Sequence, residues 1–92
     1  MKLGNIQLTQ FAPLTKLPQE AASAIAVLPE LVGSTIVPIL YIGEQLVDGV
    51  NYWFIGEETL ITIDGSRRLI IFAINHCDGE YEFLTQSITV LT

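Results

Sequence analysis

From position 34 onward, runs of β-branched and aromatic residues are punctuated by three Asp-Gly pairs, Asp48-Gly49, Asp64-Gly65 and Asp78-Gly79. A glycine after aspartate accepts the positive φ that tight hairpin turns require, so each pair marks a turn between antiparallel strands. The pattern predicts strands over 36–46, 50–63, 67–76 and 81–91, joined as a meander. Pro38 has no amide to donate and suits an edge or a bulge in the first of these. Gly43 and Gly56 are further candidate bulges.

Upstream, Ile6 and Leu8 alternate with Gln7 and Thr9, which predicts an extended segment within 6–16. Pro13 and Pro18 lack amide donors, so the segment reads as an edge strand or an arm. Pro18 also suits the first turn of a helix, and Glu20 complements its N-terminus. Ala21, Ile25, Leu28 and Val32 follow at helical spacing. Pro29 predicts a kink or restart near Leu28, and Gly33 a stop. The whole chain, 1–92, is then one α+β domain, with one helix packed on a four- to five-stranded antiparallel sheet.

The strands do not alternate cleanly. Leu69-Ile70-Ile71-Phe72-Ala73-Ile74 is apolar on both faces, whereas an antiparallel sheet with one wet face alternates apolar and polar. Half of the 92 residues are hydrophobic and only 15% are charged, against about 25% in an average globular domain. The surplus predicts apolar surface that meets a partner, most simply a second copy of the chain. The net charge of −6, with only Lys2, Lys16, Arg67 and Arg68 basic, leaves no footprint for nucleic acid or an anionic membrane. No apolar run approaches the ~20 residues of a membrane span. The residues after Met1-Lys2-Leu3 are polar and do not form a signal-peptide core. A cytoplasmic protein is the default reading.

Gln45-Leu46-Val47-Asp48-Gly49 has the form Gln-x-Val-x-Gly, followed by Asn51-Tyr52. Together with Asp78-Gly79-Glu80-Tyr81-Glu82-Phe83-Leu84, and with an apolar residue before a glycine at Leu3-Gly4, it resembles the cystatins. The likeness is to their disulfide-free, stefin-type branch. It runs from Gly4 to about Leu91 and implies a cystatin-like fold, in which the sheet wraps one helix. It also implies reversible inhibition of papain-like cysteine proteases by occlusion. The residues it would assign to the protease-binding edge are Leu3, Gly4, Gln45, Leu46, Val47, Asp48, Gly49, His76, Asp78 and Gly79. The chain departs from the family at Asp48, where a small neutral residue is usual. Its second hairpin, Asn75-His76-Cys77-Asp78-Gly79, has neither the Pro-Trp nor the Leu-Pro-Gly of inhibitory members.

The remaining chemistry is sparse. His76 and Cys77 are strand neighbours whose side chains point to opposite faces, so the one histidine cannot activate the one cysteine. Glu57-Glu58 and Glu80/Glu82 read as a solvated face that keeps an apolar protein soluble. No zinc spacing, phosphate loop or dinucleotide fingerprint occurs. The sequence therefore predicts a binding protein that is not an enzyme and needs no cofactor or metal. Its partner is a papain-like cysteine protease at the loop edge or, alternatively, another copy or protein on an apolar sheet face. A small-ligand pocket beneath the alanine-rich helix is a third reading.

Overall fold

The computed structural model describes residues 7–13, 19–26, 33–61 and 65–91. Five strands, β1 (Gln7–Pro13), β2 (Ser34–Val47), β3 (Gly49–Leu60), β4 (Arg67–Cys77) and β5 (Glu80–Val90), form one antiparallel sheet in the order β1-β2-β3-β4-β5. The helix α1 (Gln19–Ile25) lies between β1 and β2 in the chain. The meander from β2 to β5 follows the three Asp-Gly punctuations, and every strand pairs with its neighbour in sequence. The expected N-terminal extended segment is β1, which enters the sheet with Gln7 opposite Glu44 and leaves with Pro13 opposite Leu40.

Two turns show why these residues form them. At the β4–β5 connection Asp78 (φ 52°) and Gly79 (φ 80°) both take positive φ between the directly paired Cys77 and Glu80, as a two-residue primed turn requires. At the β2–β3 connection Val47 faces Gly49 and Leu46 faces Val50, which leaves Asp48 at the tip. Asp64, the first residue of the third pair, lies outside the described residues, as do Leu3, Gly4, Pro18, Leu28, Pro29 and Val32.

The described helix is short, and the kink expected near Leu28 lies outside the described residues. The helix runs for seven residues and ends in a turn at Ala26, whose amide donates to the Ala22 carbonyl at 3.2 Å. Alanine is what lets it sit close to the sheet. Ala21 and Ala24 are fully buried in one cluster with Tyr41, Tyr52, Phe54, Ile70, Phe72 and Ile74. Period-2 alternation puts the last five of these on the same sheet face. Tyr41, Phe54, Phe72 and Phe83 make a continuous aromatic row, with centroids 5.5–5.6 Å apart at each step.

β4 is apolar on both faces, as its sequence indicates, and Ile71 and Ala73 are as deeply buried on the outer face as Phe72 is beneath the helix. Bulging falls in β2, not β3. One extra β2 residue stands between Pro38/Gly56 and Leu40/Ile55, and another between Tyr41/Phe54 and Gly43/Trp53. Gly43 thus borders a bulge. Gly56 stays in register with β4 and faces Pro38 at the bulge margin. A side chain at Gly56 would meet the Phe72 ring and the Val37 carbonyl, each at 2.9 Å, so this glycine serves core packing. Pro38 lies beyond Leu40, where the β1 pairing stops.

Candidate functional site

β2 and β4 both end, and β3 and β5 both begin, at one margin of the sheet. The topology therefore brings Gln45–Gly49 and His76–Gly79 side by side. β1 begins at the same margin, opposite Glu44. The hairpin tip is apolar and open. Leu46 is 70% exposed and Val47 48%, and Asp48, Asp78, Glu80 and Glu82 are exposed around them.

Gly49 lets the two turns come close together. At φ +88° its absent side chain leaves room for β4, because a Cβ there would stand 2.3 Å from the His76 carbonyl oxygen and 2.9 Å from Cys77 Cβ. The close backbone approach that Gly49 permits is therefore used inside the molecule.

A chain of amides lies below the tip, on the face away from α1. Asn75 Nδ2 donates to Asn51 Oδ1 at 2.9 Å and to the Asp48 carbonyl at 3.3 Å. Asn51 Nδ2 donates to Gln45 Oε1 at 3.2 Å, and the Trp53 indole N–H donates to the same oxygen at 3.1 Å. Asn51 is only 8% exposed. Gln45, which the resemblance assigns to the protease-binding edge, has its oxygen committed twice within the sheet. What remains at the surface of the edge is Leu46, Val47 and Asp48, with the Asp78-Gly79 turn beside them.

His76 is half-buried and stacks on Tyr81, its direct cross-strand partner, with centroids 4.3 Å apart and planes 7° from parallel. It faces away from Cys77, as strand alternation requires. The Cys77 thiol is pushed above its ordinary pKa by desolvation and by the Asp78 and Asp48 carboxylates, which holds it in the unreactive thiol form at neutral pH. On the helix face Tyr41 is raised to about 12, first by burial and then by Glu44, Tyr52 and Glu20. Tyr52 is raised by burial and by the same two glutamates.

One carboxylate overturns the expectation of a solvated acidic face. Glu58 is 4% exposed. It accepts a hydrogen bond from Ser34 Oγ at 3.0 Å and pairs with the Nε of Arg68, its direct cross-strand partner. Its side chain belongs to the core face, where Ile36 and Ile70 flank it. Among the described residues no three His, Cys, Asp or Glu side chains are grouped as a metal ion would need. No helix among them is long and apolar enough to cross a membrane.

The sequence reading did not single out Asn51, Asn75, Ser34 or Arg68 as network residues. Part of the signal was present. A turn centred on Asp48 sets Gln45 opposite Asn51, which places two amides on one face. Pairing Asn51 with Asn75 also needs the β3–β4 register, which the turn residues alone do not determine.

The remaining exposed large apolar side chains, Val37, Ile39, Ile61, Val90 and Leu91, lie towards the opposite end of the sheet. Val37 and Leu91 close a row on the outer face that runs through Glu57 and Leu69, and the Leu91 amide donates to the Leu69 carbonyl at 2.8 Å. No family model, curated protein or solved structure matches the chain.

Proposed function

We propose that this chain is a protein-binding module that works by occlusion, with a cystatin-like fold, and that its paired-hairpin edge enters the cleft of a papain-like cysteine protease. The observation that carries this reading is the placing of both hairpins on one margin, with Leu46 and Val47 exposed beside the Asp48 tip. A preformed tip loses little conformational entropy on docking, and two exposed aliphatic side chains supply apolar contact at its centre. The protease class itself rests on the resemblance of Gln45–Gly49, Asn51-Tyr52 and the segment from Asp78 to the cystatin pattern. Leu3 and Gly4 would extend the same edge.

The test is a titration of papain activity with the purified protein. Inhibition that is reversible and at least about tenfold weaker for Val47→Glu supports the edge. Val47 is the suitable position because its side chain is exposed, whereas a change at Gly49 alters the fold itself. No binding at micromolar concentration removes the papain-like class.

A second reading has its own observation. Val37, Leu69 and Leu91 lie in one row of the outer face, broken only by Glu57, and a second copy docked there would form a homodimer. Light scattering on the wild type and on Val37→Asp/Leu91→Asp decides it. A dimer that becomes monomeric in the double variant supports this reading, and a monomeric wild type ends it.

A further inference from the structure

We infer that Asn75 is the positioning residue that makes the two hairpins a single rigid edge. Val50 packs on the core cluster and pairs with His76, but beyond that pair the tip from Leu46 to Asp48 projects with Leu46 and Val47 exposed, so apolar packing does little to fix its angle to the neighbouring turn. Gly49 allows β4 to approach, but an absent side chain holds nothing. Beyond the last ladder pair, Val50 and His76, the attachment comes from Asn75, the one side-chain amide among the described residues that reaches from β4 to the tip. It gives one hydrogen to the Asp48 carbonyl and one to Asn51 Oδ1.

The rest of the network sets the direction of those bonds. Gln45 Oε1 receives both Asn51 Nδ2 and the Trp53 indole, which can only donate. Gln45 must therefore present oxygen, Asn51 must present nitrogen to Gln45 and oxygen to Asn75, and Asn75 must present its NH2 group. A reversed amide anywhere in the chain would set like groups together, so the network has one orientation. That orientation carries from Trp53, inside the sheet, to the carbonyl at the tip. The consequence for binding rests on the reading of this edge as the docking surface. The consequence for the free protein does not.

Hydrogen exchange of the free protein tests the inference. Asn75→Ala removes both donated hydrogens, and the amides of residues 47–50 then exchange faster by on the order of tenfold, while those of Ile70–Ile74 stay within about twofold of wild type. Asn75→Asp removes the same donors while keeping the shape, and it serves if the alanine variant does not fold. Asn51→Asp separates positioning from plain stability. Its carboxylate still accepts from Asn75, so the tip stays protected, but Gln45 must turn its NH2 group towards it and the Trp53 indole loses its acceptor. Trp53 emission shifts while exchange at 47–50 does not. Exchange that rises uniformly across β4 in both Asn75 variants, or not at all at 47–50, overturns the inference.

The binding arm uses papain. Asn75→Ala weakens the complex about five- to tenfold, mainly through faster dissociation. A wild-type protein that does not bind papain removes the proposed function and leaves the exchange result to decide Asn75.

Discussion

The two ends of the β2–β3–β4 ladder are tied across the strands by different chemistry. At the hairpin end the tie is neutral, running through Asn75, Asn51 and Gln45 on the face away from the helix. At the far end it is charged, running through Ser34, Glu58 and Arg68 on the core face. Each tie links the same three strands. Neutral amides satisfy one another with little desolvation, so they can be cut one bond at a time near a surface. A buried carboxylate cannot be left alone, so the charged tie is one in which each partner is necessary to the others. The hairpin end is therefore built to be held in shape, and the far end to be held shut.

The largest test of this contrast is at Gly49. Gly49→Ala forces a Cβ against the His76 carbonyl at a backbone angle that disfavours side chains, and it is expected to lower stability by about 3–5 kcal/mol. Urea denaturation measures it. The matched control is Gly79→Ala, in the neighbouring turn. There φ is also positive but nothing stands within 4 Å, so only the backbone cost of about 1 kcal/mol is expected. Equal losses at the two glycines would remove the claim that the hairpins press on each other.

At the charged end, Arg68→Ala leaves Glu58 buried with Ser34 alone and is expected to cost about 2–3 kcal/mol. Glu58→Gln keeps the shape and discards the charge, and is expected to cost about 1 kcal/mol. If the glutamine variant proves the worse of the two, the isolated carboxylate is not the source of the loss.

Smaller effects follow from the groups with raised pKa. Tyr41 holds its proton to about pH 12 in the folded protein and to about 10 when unfolded. Only the folded state keeps that proton between those values, so the contribution of Tyr41 to stability is constant below pH 10 and falls as pH rises from 10 to 12. Tyr41→Phe makes that fall shallower in pH-dependent thermal melts, leaving the part due to Tyr52. The smallest expected effect concerns Cys77, whose alkylation by iodoacetamide is slow at neutral pH and accelerates only above the ordinary thiol range. Asp78→Asn, which suits the positive φ at that position, removes one of the raising carboxylates and moves the acceleration to lower pH.

Much of the sheet was legible in the sequence because its signals are local. Asp48-Gly49 and Asp78-Gly79 mark turns by their own backbone freedom, and the double-sided apolar run around Phe72 marks an interior strand, β4. The length of α1 was less legible. Helical spacing from Ala21 onward cannot reveal where tertiary packing stops supporting a helix, and Ala26 is already in a turn. Glu58 was misread because its neighbour Glu57 is also acidic. The two point to opposite faces, and only the face carrying Ile36 and Ile70 closes over its carboxylate. The inward bonds of Gln45 were not legible because its amide has acceptable partners outside or inside, and Asn51 and Trp53 satisfy its oxygen from within.

Pro38 has a consequence for the chain's behaviour at high concentration. β1 covers β2 only from Leu40 to Glu44, so among the described pairings the stretch 34–39 has β3 on one side alone. It is also apolar, with Val37 and Ile39 exposed. Bare, β-branched strand margins recruit other chains by edge pairing and seed aggregation. A strand arriving at this margin would find no amide at Pro38 and a bulge at the next residue, so it could not form a continuous ladder. A ring at one position thereby acts as a gatekeeper against edge pairing along 34–39.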